Sequence, residues 1–126
     1  MDDSILTSTK KILGVDETYT VFDLDIMTHI NSAFSTLNQL GIGPVDGFMI
    51  EDATAVWSDF LGTNSPKLNA VKTYVYLRVR MLFDPPTTSY LINALNEQIK
   101  ELEWRLNVIV DPGPTTTDFV LNGGTP

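Results

Sequence analysis

The chain reads as an all-α domain, a small bundle of about four to five helices followed by an extended C-terminal arm. Apolar residues recur every three or four positions over most of the stretch up to Leu106, and glycine or proline breaks interrupt that pattern at helix-like intervals. After Leu106 the character changes: Val108-Ile109-Val110 is β-branched, Asp111-Pro112-Gly113-Pro114 is a break, and Thr115 to Val120 favours extended backbone. Residues 1–106 are therefore expected to form a helical domain and residues 107–126 an arm.

Each element has its own signal. Ser4 to Leu13 places Ile5, Leu6, Ile12 and Leu13 for a short helix carrying Lys10 and Lys11, and Gly14 suits its C-terminal stop. Thr20 with Asp23 three residues later resembles a capping box with Asp in place of Glu, so a second helix is expected to begin there. Phe22, Ile26, Ile30, Ala33, Phe34, Leu37 and Leu40 give that helix one buried face until Gly41-Ile42-Gly43-Pro44 ends it. Phe48-Met49-Ile50 is a strand or a loop anchor. Asp52 is a candidate N-cap for a short helix from Ala53 to Phe60 that buries Val56, Trp57 and Phe60.

Ser65-Pro66 predicts the next helix start, with Ser as N-cap and Pro in the first turn. From Lys67 to Phe83 apolar residues face nearly every direction, which predicts a helix contacted from several sides. Asp84-Pro85-Pro86 terminates it, because a residue before proline is pushed out of the helical region. Thr87-Thr88-Ser89 can cap a last helix to about Leu106, with Leu91, Ile92, Leu95, Ile99, Leu102 and Leu106 on its buried stripe.

Composition narrows the function. A net charge of −8 disfavours binding to duplex DNA unless lysines and arginines gather on one face, since phosphate affinity needs a local cationic excess. The absence of cysteine removes disulfides, thiolate metal sites and thiol nucleophiles. Met1-Asp2-Asp3-Ser4 lacks the basic start of a signal peptide and no apolar run reaches membrane-spanning length, so synthesis in a cytoplasm and no membrane partner are expected.

No credible catalytic constellation emerges. Asp25, His29 and Ser32 share one helix surface and include the residue types of a Ser-His-Asp triad, but a triad needs an oxyanion hole and a substrate pocket that one amphipathic helix does not supply. The carboxylate pairs Asp23/Asp25, Glu51/Asp52 and Glu97/Glu101 are better explained by helix N-termini and a solvated face. No cofactor, no metal and no enzymatic activity are expected.

Binding surfaces are better supported. Lys67, Lys72, Arg78 and Arg80 put half of the positive charge on one helix, although 100° steps spread them around it. Trp104 falls roughly 200° from Leu102, off the buried stripe and beside Arg105, where an interface would enrich both residue types. Candidate subunit or partner contacts are thus Lys72, Arg78, Arg80, Trp104 and Arg105, with Val108, Ile109, Val110 and Phe119 of the arm. A small helical DNA-binding or regulatory protein is the rival reading, favoured if the cations converge.

Several strings resemble the head-tail connector family of tailed bacteriophages: Ser4 to Gly14; Phe22-Asp23-Leu24-Asp25-Ile26 with His29-Ile30-Asn31-Ser32-Ala33-Phe34; Leu37 to Pro44; Lys72 to Pro86, including Phe83-Asp84-Pro85-Pro86; and Glu101-Leu102-Glu103-Trp104-Arg105-Leu106. The resemblance implies a helical structural protein of the virion head-tail junction. It also implies a homo-oligomeric ring, commonly of twelve subunits, attached to a portal protein on one side and to a stopper or tail-side protein on the other. Genome DNA would pass through such a ring without specific binding.

Overall fold

A computed structural model describes residues 3–62 and 65–110. They form five helices: α1 (Ile5–Leu13), α2 (Asp23–Gln39), α3 (Trp57–Leu61), α4 (Leu68–Phe83) and α5 (Ser89–Val110). The all-helical reading holds among the described residues, where extended pairing is limited to a single bridge between Ser4 and Val56.

The first helix starts and stops as its sequence dictates. Ser4 Oγ accepts from the Thr7 N–H at its N-terminus. At the other end Gly14 takes φ +80, with its N–H on Lys11 O and that of Val15 on Lys10 O, a Schellman closure that satisfies two carbonyls. Between α1 and α2 the chain is held by Lys10, which is buried although charged. Its ammonium donates to Glu17 O (3.0 Å) and Tyr19 O (2.8 Å) and lies 2.7 Å from Asp23 Oδ1. That carboxylate oxygen is buried and makes no hydrogen bond, so the adjacent positive charge is what offsets its lost hydration.

The start of α2 departs from the expected capping box. Phe22 is the N-cap and lacks a side-chain cap bond, while Thr20 contributes only its carbonyl, to the Asp23 N–H. Asp23 is unavailable as a box partner because its side chain serves Lys10. The predicted face of α2 is buried as expected through Ile26, Ile30, Ala33, Phe34 and Leu37, whereas Phe22 and Leu40 are only partly covered.

Between α2 and α3 the chain returns across α2 as an irregular segment. Asn31 holds it by accepting from the Ile50 N–H (2.7 Å) and donating to Ile50 O (3.0 Å), which replaces the strand partner that Phe48-Met49-Ile50 lacks. Asn38 donates to Pro44 O (3.1 Å) one helix end further on. Gly43, at φ +89, lies under the Phe60 ring, and a Cβ there would run into Phe60 Cε1. The ring of Phe34 is the hub beneath, with Phe48, Trp57 and Phe60 at centroid distances of 5.2, 6.2 and 4.5 Å.

Two expected helix starts shift. Asp52 does not cap a helix from Ala53; it closes a local turn on the Thr54 N–H and hydroxyl, which holds its carboxyl below the usual range. Helix α3 begins at Trp57, with Asp59 Oδ2 accepting from the Val56 N–H, because residues 55–57 are drawn into backbone bonds with Asp3 and Ile5. Ser65-Pro66 forms a turn just ahead of α4, which begins at Leu68.

Helix α4 is central as predicted, packed by α2 on one side, α5 on another and α1 on a third. Thr88 caps α5 by accepting from the Leu91 N–H. The expectation that the helix ends at Leu106 is corrected: α5 continues to Val110. Leu106 is fully buried and anchors the last turns, and β-branched residues cost a helix only some tenths of a kcal/mol each. The remainder of the expected arm, residues 111–126 with Phe119, lies outside the described residues.

Two substitutions test this packing. Lys10→Met strands the Asp23 oxygen and two carbonyls and should cost about 3 kcal/mol in urea unfolding, with part recovered in Lys10→Met/Asp23→Asn. Gly43→Ala combines positive φ with the Phe60 clash and should destabilise by about 2–3 kcal/mol, read as a lowered thermal midpoint.

Candidate interaction surface

The sequence-predicted site residues separate into those the fold consumes and those it leaves outward. Arg78 belongs to the first group. Its Nη1 donates to the Tyr74 hydroxyl (2.6 Å) and to Thr36 Oγ1 of α2 (3.4 Å), and lies 3.6 Å from Glu103 Oε2 of α5. Tyr74 in turn donates to Glu103 Oε2 at 2.7 Å. Helices α2, α4 and α5 are thereby tied by one polar chain at the edge of the core. Burial and the Glu103 carboxylate push the Tyr74 phenol up to about 12.

Lys72 is half-buried, its ammonium 5.7 Å from the centroid of Trp57. Arg105 pairs with Glu101 one turn earlier on α5 at 2.6 Å, and both are well exposed. Lys100 approaches Glu97 in the same way at 4.0 Å. With Lys10 buried on Asp23, four of the eight cations face carboxylates of the same chain. They do not converge on one exposed face, which removes the condition for the DNA-binding reading.

Arg80 is exposed and, among the described residues, faces no carboxylate. Trp104 is 67% exposed on the outer face of α5, as its angle predicted. Val108 is partly exposed on the same helix instead of on an arm. Ile109 and Val110 belong to that helix, and their side chains lie outside the described set.

The sequence reading missed an apolar concavity. The predicted stripe of α5 is fully buried only at Ile99 and Leu106, and Leu91 near the N-terminus stays 49% exposed. There α5 packs on α4, and Ile12 of α1 closes a groove of about 250 Å³ lined also by Tyr76, Leu77, Pro86, Leu91 and Leu95, with Arg80. Val45 and Met49, at 94% and 65% exposure, form a second apolar projection on the segment crossing α2. A residue pattern marks which side of a helix is apolar, and it cannot show that a stripe outruns its cover.

His29, Asp25 and Ser32 lie along α2 without a hydrogen bond between them, and Asp25 and Ser32 face solvent. Among the described residues no group of three or more His, Asp or Glu side chains is placed to hold a metal ion. No helix of the described residues is long and apolar enough to cross a membrane. Chemically, the described surface offers apolar grooves and single charges suited to another macromolecule's side chains.

The polar chain yields a pH test. An unfolded chain releases the phenol proton near 10 whereas the folded chain keeps it to about 12, so the stabilisation is complete below pH 10 and is lost as pH rises through that window. Thermal unfolding should fall steeply there, and Tyr74→Phe should flatten the fall.

Neither curated proteins nor solved structures gave a match. A family profile described as phage connector protein matches residues 5–113, a span that takes in all five helices of the described residues. The chain belongs to the phage connector protein family, whose role is structural.

Proposed function

We propose that this connector is a head-to-tail adaptor without chemistry of its own: copies form a ring below the portal protein, extending the DNA channel and receiving a stopper or tail-side protein on the far side. The observation that carries the reading is the large apolar surface left uncovered at separate places on a well-tied helical core. Val45 is fixed by Asn38 at the C-terminal end of α2, while Phe22 at its N-terminal end stacks 5.3 Å from Phe83 of α4. Those two ends are roughly 24 Å apart along the helix. A subunit that contacts unlike neighbours on two sides needs such separated patches, and a heterologous contact that closes gives a ring.

Twelve copies is the stoichiometry the family resemblance suggests. The net charge of −8 suits a channel through which DNA moves without adhering. The segment after Val110, with Phe119, is assigned to docking on the portal, where an extended apolar stretch can add to a partner's sheet or wedge between its subunits. Trp104 and Arg105 on the outer face of α5 lead toward that segment and supply aromatic and guanidinium anchors.

Co-expression with the portal protein followed by native mass measurement tests the ring, with a single subunit copy number per portal ring as the expected result. Deleting residues 111–126 should leave the thermal unfolding of the helical domain unchanged and abolish portal capture and virion assembly. Unchanged capture and assembly would refute the docking role of the arm.

A further inference from the structure

We infer that the contact between neighbouring copies is made by the Val45–Asp52 segment of one subunit seated in the groove between α1, α4 and α5 of the next. The inference rests on the ring reading above and names the two faces that meet.

The two surfaces match in chemistry. The groove presents Ile12, Leu91 and Leu95 with Arg80 as its charge. The segment presents Val45 and Met49, with Asp46, Glu51 and Asp52 exposed around them and in no ion pair among the described residues. An uncovered apolar groove with one unpaired cation thus faces an apolar projection ringed by unpaired carboxylates. Like charges at either surface argue against each pairing with itself, so the contact is head-to-tail.

Their placement also fits. Arg80 lies one turn before Phe83, which meets Phe22 at the start of α2, whereas the segment is pinned to Asn38 and Asn31 at the end and middle of that helix. Within one subunit the segment therefore lies along the middle and C-terminal end of α2, whereas Arg80 of the groove lies toward its N-terminal end. The segment is also held in shape before contact by the Asn31 bonds to Ile50 and by the Asp52–Thr54 turn, which limits the ordering cost of docking.

The test uses the native lack of cysteine. In assembled particles Val45→Cys/Leu91→Cys should, on oxidation, give a ladder of covalent multimers up to the ring number, while each single variant gives none beyond a dimer. Arg80→Glu should reduce incorporation at least about tenfold, the loss expected for a like-charge contact, and Asp46→Arg in the same chain should restore it. Arg80→Glu purified alone should unfold at the parental temperature. Normal incorporation of Arg80→Glu, or particles with a full ring and no 45–91 ladder, would overturn the inference while leaving the ring reading intact. A ladder from Leu91→Cys/Phe119→Cys in its place would give the groove to the C-terminal segment and also overturn it. A single copy per particle would defeat both readings.

Discussion

An ammonium group buried at the end of α1 organises the entry to the bundle. Lys10 is almost without solvent, and a charge so placed is tolerated only where its hydrogens and its field are answered locally. The answers come from Glu17 O, Tyr19 O and Asp23, so the loop between α1 and α2 has to wrap around one nitrogen. That wrapping sets where α2 begins. It also carries Tyr19 to Phe22, and Phe22 to Phe83, joining the loop to the far end of α4.

From there the architecture follows from how α4 is shared. With α2, α1 and α5 all packed on it, α4 has little outward surface, and its two arginines meet different fates. Arg78 is drawn into the Tyr74–Glu103 chain, which joins α5 to the rest by directional bonds. Arg80, two residues on and about 200° around the helix, looks out over the groove. Helix α5 outruns its cover near Leu91 and carries Trp104 on its outer face, and an assembly subunit can use such exposed apolar groups because burial that the monomer does not complete is completed by a partner.

Much of this was legible in the chain. The five-helix order, the Gly14 stop, the buried face of α2, the Thr88 cap and the outward Trp104 all follow from local rules: spacing at 3.6 residues, left-handed glycine and proline exclusion. The expectations that failed were those in which a side chain had a competing use. Asp23 looked like a capping partner and serves Lys10; Asp52 looked like an N-cap and closes a turn; Val108 to Val110 looked extended and continue a helix anchored by Leu106.

The sequence alone determined the helical class, the breaks between elements, and the strings that resemble the connector family, because each depends on residues near one another in the chain. Only the tertiary structure decided which charges are spent internally and which surfaces stay open. Arg78 and Arg80 are alike in sequence, and the difference between them is Glu103, a carboxylate brought alongside one and not the other by the packing of α5 on α4.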